Sequence, residues 1–112
     1  MIRKKIIVPH RVRRIRGSFA FLPHRFISDG FMKSLGADEL LLYYFLVTVA
    51  DQNGISYYGP KRICSLLKMD YGQYVNARDL LMVRDLIAYD ETFFQVLELP
   101  VVPVIDIAEK CC

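Results

Sequence analysis

Pro60-Lys61-Arg62-Ile63-Cys64-Ser65-Leu66-Leu67-Lys68-Met69-Asp70-Tyr71-Gly72-Gln73-Tyr74-Val75-Asn76-Ala77-Arg78-Asp79-Leu80-Leu81-Met82-Val83-Arg84 reads as two short helices joined by a tight turn. Gly59-Pro60 opens the first, since proline at the first helical position has the right φ and lacks only an N–H that would go unbonded anyway. Ile63, Leu66 and Leu67 form its inward face and leave Lys61, Arg62 and Lys68 outside. The turn falls at Lys68-Met69-Asp70. Asp70 followed three residues later by Gln73 is a capping-box start for a second helix, 71–84. That helix carries Tyr74, Ala77 and Leu81 on one face, with Gly72, Asn76 and Asp79 on the opposite one.

The flanking signals complete a domain. Downstream, Leu86-Ile87-Ala88-Tyr89 and Phe93-Phe94-Gln95-Val96-Leu97-Glu98-Leu99 read as two strands around a tip at Asp90-Glu91-Thr92. Upstream, Gly36 is an N-cap and Asp38 and Glu39 complement the dipole of a helix that runs to Ala50, apolar nearly all round and therefore expected at the centre. Asp51-Gln52-Asn53-Gly54 closes it, with Gly54 suited to a left-handed conformation, and Ile55-Ser56-Tyr57-Tyr58 alternates like a very short strand that joins the hairpin. Before it, His24 to Leu35 places Phe26, Ile27, Phe31, Met32 and Leu35 at helical spacing with a kink at Gly30, and Phe19-Ala20-Phe21-Leu22-Pro23 reads as an apolar anchor. Helix, helix-turn-helix, hairpin is the order of a winged helix. The expected fold is α+β, mostly helical, a winged helix-turn-helix of about four helices plus a small antiparallel hairpin sheet.

Composition agrees with one core. The chain has 112 residues, 54% of them hydrophobic and 14 of them Phe or Tyr, which is ample apolar surface to offset chain entropy in a single domain. The longest apolar run, Leu40 to Ala50, would cover about 16 Å as a helix, roughly half a bilayer core, so it is expected to be buried and not to span a membrane. Ile6-Ile7-Val8 is too short for a signal-peptide apolar region, and a cytoplasmic protein is expected. Cys64, Cys111 and Cys112 lack the paired spacing of a zinc site or a disulfide framework, and the terminal pair reads as two thiols on a tail, with metal ligation or palmitoylation as the alternative.

Charge is distributed asymmetrically. Residues 1–16 hold seven of the 15 Lys and Arg and no acid, so the remainder of the chain has eight basic groups against 12 acidic ones, a net −4. Gly17-Ser18 marks the change in composition. The expected organisation is a basic arm over 1–16, a winged-helix domain over 17–99 and a C-terminal tail over 100–112. A block of like charge stays extended and suits a polyanion, or serves only as a solubilising tail.

In helix-turn-helix proteins the second helix enters the major groove and the preceding one holds the backbone. That nominates Tyr71, Gln73 and Asn76 for base contacts, Gln and Asn because their amides can bond adenine bidentately, and Gly72 as a point of close backbone approach. Lys61, Arg62, Lys68 and Arg78, with Arg11, Arg13, Arg14 and Arg16 of the arm, are nominated for phosphates. The alternatives are structural: Gln73 as no more than a cap, Asn76 as a solvated residue, Arg78 paired with Asp79 or Asp85. Asp79 and the acidic tip at Asp90 and Glu91 oppose phosphate. Tyr57-Tyr58 is a second-rank stacking platform, whereas Tyr43-Tyr44 reads as core and His24 as a packed or surface histidine and not a ligand or base. No glycine-rich phosphate loop, nucleophile–base pair or metal-spaced cluster is visible, so neither catalysis, a cofactor nor a small-molecule substrate is expected.

Gly17-Ser18-Phe19-Ala20-Phe21-Leu22-Pro23-His24-Arg25-Phe26-Ile27-Ser28-Asp29-Gly30-Phe31, with Tyr57-Tyr58, Arg62 to Leu67, Ala77 to Leu81 and Asp85 to Tyr89, resembles small, largely uncharacterised bacterial helix-turn-helix proteins that often accompany mobile elements. More distantly it is similar to the winged-helix domains of replication-initiation proteins. The resemblance covers 17–99 and rests on packing residues and turn chemistry. It implies a DNA-associated accessory or regulatory role without a cofactor. The rival expectation is a homodimer or partner-docking module that uses exposed apolar residues such as Met82, Val83 or Val101-Val102-Pro103-Val104-Ile105.

Overall fold

The computed structural model of the chain describes residues 7–11, 13, 17 and 21–104. Its elements are helices α1 (Arg25–Ser28), α2 (Ala37–Val49), α3 (Pro60–Leu67) and α4 (Tyr71–Val83), and strands β1 (Ile55–Ser56), β2 (Ile87–Tyr89) and β3 (Phe94–Val96), with short 3-10 turns at Pro9–Arg11 and Met32–Ser34. The three strands form one antiparallel sheet in the order β1-β3-β2. The fold is therefore α+β and mostly helical, with the arrangement of a winged helix-turn-helix.

Local chemistry sets each boundary. At the start of α2 the Glu39 carboxylate accepts the Gly36 N–H at 3.1 Å, half of a capping box whose other half a glycine cannot supply. The loop after α2 turns on Asp51, whose carboxylate accepts the N–H groups of Asn53 and Ile55. Gly54 has φ +85°, and a Cβ there would lie 2.6 Å from the Val96 carbonyl oxygen, so the close approach of this loop to β3 requires glycine. Gly30, at φ +88°, does more than kink the segment expected as one helix over 24–35. The segment divides there into α1 and the Met32–Ser34 turn.

The core is a single cluster that joins every layer. Leu42 and Leu46 of α2, Ile63 of α3, Tyr74, Ala77 and Leu81 of α4, and Leu86, Ile87 and Phe94 of the hairpin are all buried. Phe26 stacks on Tyr43 at 4.9 Å and brings α1 onto α2. Four expectations of burial are corrected. Leu66 lies on the solvent side of α3, Ile27 and Met32 are exposed, the described part of the anchor (Phe21-Leu22-Pro23) is exposed, and α2 presents Leu41 and Tyr44 outward. The reason is that α2 packs against α4 and β3 along one side only, so an all-apolar helix is left with one uncovered face.

After the wing the chain is held down by two arginines. Arg25 bonds Asp29 at 2.8 Å and also donates to the carbonyls of Pro100 and Val101, while the buried Arg84 donates to the Val104 carbonyl at 3.2 Å. No helix among the described residues is long and apolar enough to cross a membrane.

Candidate nucleic-acid interface

The turn between α3 and α4 positions the candidate side chains. Lys68 ends α3 in the left-handed conformation, φ 57°, and the Met69 N–H bonds back to the Cys64 carbonyl. Two residues later Asp70 starts α4 with a complete capping box: its carboxylate accepts the Gln73 N–H at 2.7 Å, and Gln73 Oε1 accepts the Asp70 N–H at 2.9 Å. The start of α4 is thus set against the end of α3 by backbone and capping bonds.

The structure brings Lys61, Arg62 and Tyr71 together. They line one open, largely apolar cleft of about 830 Å³ with Gly59, Pro60 and Cys64, where the start of α3 meets the start of α4. The Tyr71 ring is exposed and tilted against Tyr74, with centroids 6.0 Å apart. Asn76 is exposed one turn further along α4, on the face it shares with Gly72, Gln73 and Asp79. Lys68 is exposed at the turn.

Two nominated residues are engaged within the domain. Gln73 has its amide oxygen engaged in the cap, where it accepts the Asp70 N–H, which restrains the side chain and leaves that oxygen one lone pair for a further bond. Its NH2 group remains for a single donated bond. Arg78 pairs with Asp79 at 3.1 Å and lies over two rings, 5.5 Å from Tyr74 and 5.0 Å from Tyr89. The guanidinium is thereby held between α4 and the wing, and its charge offsets that of Asp79. Sequence spacing places Tyr74 and Arg78 one turn apart, but nothing local could have identified Tyr89 as the second ring.

Of the arm, Arg11 closes the exposed Pro9–Arg11 turn and Arg13 is exposed, while Arg14 and Arg16 lie outside the described residues. The wing is short. Asp90 at its tip accepts the N–H groups of Thr92 and Phe93, both at 2.9 Å, and these bonds hold its carboxyl below the usual range, so the tip stays anionic. The Tyr57-Tyr58 pair does not form a two-ring platform. Tyr57 is exposed, edge-on to Phe93, while Tyr58 packs against Phe45 and lies under the Arg62 guanidinium at 5.2 Å. Tyr43 is buried as expected and Tyr44 is exposed. Among the described residues no cluster of His, Cys, Asp and Glu could hold a metal ion.

The elements together define a winged helix-turn-helix class of domain, with three strands in the wing sheet and the second helix of the pair, α4, capped at its start. No protein family, curated protein or solved structure matches the chain.

Proposed function

We propose that this protein binds duplex DNA as a non-enzymatic accessory or regulatory protein of the cytoplasm, with its basic arm on phosphates and the start of α4 in the major groove. The observation that carries the reading is the convergence of Lys61, Arg62 and Tyr71 on one cleft, with Asn76 exposed on the next turn of the same helix. In this reading Lys61, Arg62 and Lys68 contact phosphate, Tyr71 and Asn76 meet base edges, and Gln73 contributes one donated bond. Arg78 positions the wing. The chain outside the arm carries a net −4, so the arm supplies most of the non-specific affinity.

The test is fluorescence anisotropy of the full chain against a labelled duplex at several salt concentrations. If four or five arm residues neutralise phosphates, the arm contributes about −4 to the log-log slope, and neutralising Arg11, Arg13, Arg14 and Arg16 together removes most of that contribution and flattens the slope. Asn76→Ala changes sequence preference and leaves the slope nearly unchanged. Absence of salt-dependent binding at low salt rejects the reading.

One observation favours a second reading, a protein-docking or dimerisation module. Leu41 and Tyr44 on α2 and Met82 and Val83 on α4 are exposed apolar residues. That reading predicts an assembly that persists at high salt, because apolar burial is insensitive to screening.

A further inference from the structure

The outer side of α2 carries no charge. Leu42, Tyr43 and Leu46 are buried on the side turned to the core. Ala37, Leu41, Tyr44 and Thr48 are exposed, Leu41 by 44% and Tyr44 by 60%. On a helix of 3.6 residues per turn these four positions fall within an arc of about 60°, directly opposite the core side. A surface helix ordinarily turns charged residues to water along that arc, whereas this chain has none from Leu40 to Ala50. The charges of α2 are Asp38 and Glu39 in its first turn, and the Glu39 carboxylate is used in the cap on the Gly36 N–H.

This face can lose its water without leaving a donor unbonded. Thr48 Oγ1 donates to the Tyr44 carbonyl at 2.8 Å, so its proton already has an acceptor. Ala37 and Leu41 have no polar side-chain atom, and the Tyr44 hydroxyl stands at the end of a long ring that keeps it at the wet rim of a contact.

We infer that this face pairs with the same face of a second copy, the two α2 helices running antiparallel about a two-fold axis. The steps from Ala37 to Leu41, Tyr44 and Thr48 are those of a coiled-coil seam, and they read the same from either end. Turning one helix end for end sets Leu41 against Tyr44 of the second copy and Ala37 against Thr48 of the second copy. Large residues then meet large ones at the centre and small ones meet at both ends, each contact repeated by symmetry as a two-fold interface requires. Charge selects the same arrangement. Antiparallel pairing separates the acidic first turns of the two copies by about 10 to 14 Å along the helix axis, a Debye length or more, whereas parallel pairing sets four carboxylates side by side. A nucleic acid or a charged peptide would find no countercharge on this face.

The pair carries two α4 helices related by the same axis, so a duplex bound by both is an inverted repeat. That consequence rests on the DNA reading; the pairing itself does not. One helix-on-helix contact lies at the small end of specific interfaces, so the dimer is reversible, with a dissociation constant on the order of 10 μM.

Sedimentation equilibrium of the full chain, from about one-tenth to about fifty times that concentration, is expected to show monomer and dimer in equilibrium, with no dissociation by high salt. Leu41→Glu and Tyr44→Lys should each weaken the dimer at least about tenfold by burying an unpaired charge. Both positions are exposed in the single copy, so the melting temperature of the dilute monomer should hardly change. An equimolar mixture of the two variants should form a dimer where neither alone does, because position 41 of one copy then meets position 44 of the other with opposite charge. Leu66→Glu, at an exposed site on α3, should leave the dimer intact.

A monomer throughout, a dimer that both substitutions leave intact, or a mixture that stays monomeric overturns the proposal. A dimer that the substitutions dissociate but that binds no duplex supports the pairing and removes the DNA reading. Selection of inverted repeats by the parent chain supports both.

Discussion

The guanidinium of Arg78 lies 5.0 Å over the ring of Tyr89, joining α4 to the first strand of the wing. The same group covers Tyr74 and pairs with Asp79, so one side chain near the C-terminal half of α4 fixes how the wing is presented. Arg78→Ala is expected to cost about 1 to 2 kcal/mol, the worth of two partly desolvated cation–π contacts. Urea denaturation measures that loss. A phosphate contact would instead appear as a duplex salt slope shallower by about 1, and we expect the slope of the variant to match that of the parent.

The capping box gives a second separation of roles. Asp70→Ala removes the acceptor of the Gln73 N–H and is expected to destabilise the protein by about 1 kcal/mol in thermal or chemical denaturation. Gln73→Ala loses only the return bond to the Asp70 N–H and costs less. Asn76→Ala, on an exposed position with no cap to lose, is expected to leave stability within about 0.5 kcal/mol while changing sequence preference in a binding-site selection.

Gly54→Ala tests the loop that seats β1 on β3. The substitution combines φ +85° with a Cβ 2.6 Å from the Val96 carbonyl oxygen, which itself belongs to the paired backbone. A loss of at least about 2 kcal/mol is expected, with the amides of Ile55 and Val96 the first to lose hydrogen-exchange protection.

Stability at high pH should report the buried tyrosines. Burial pushes the phenols of Tyr43 and Tyr74 up to about 12 from an ordinary 10.0, in Tyr74 against the lowering influence of nearby Arg78. A raised folded-state value means that the folded protein holds these protons when the unfolded chain has begun to release them. The contribution is therefore complete below pH 10 and is lost as pH rises towards 12, by roughly 2 kcal/mol per tyrosine at the upper end. Denaturation between pH 9 and 12 should show this fall, and Tyr74→Phe should remove about half of it. The Tyr74 hydroxyl is buried without a hydrogen-bond partner among the described residues, so that variant is expected to be no less stable at pH 7.

Much of the architecture was legible locally. Gly36, Gly59-Pro60, Asp70 with Gln73, Gly54 and the Asp90-Glu91-Thr92 tip stand at the helix start, caps, turn and hairpin read from them, because caps and turns are decided by backbone chemistry within a few residues. The helix expected over 24–35 failed at Gly30, whose left-handed φ is incompatible with continued helix. Burial was read less well. Leu41, Tyr44 and Leu66 have the apolar character of core residues yet face outward, since a neighbour distant in sequence decides which side of a helix is covered.

The order of elements from α2 onward, the caps and turns that bound them, and the basic arm beside an acidic remainder were determined by the sequence alone, through propensity, capping and charge, all of which act over a few residues. Only the tertiary structure decided that Lys61, Arg62 and Tyr71 share a cleft and that Arg78 sits between Tyr74 and Tyr89. Those relationships join residues separated by a turn, a loop or a strand pairing. They exist because burying one common core brings α2, α3, α4 and the sheet together at fixed angles, and no local pattern encodes those angles.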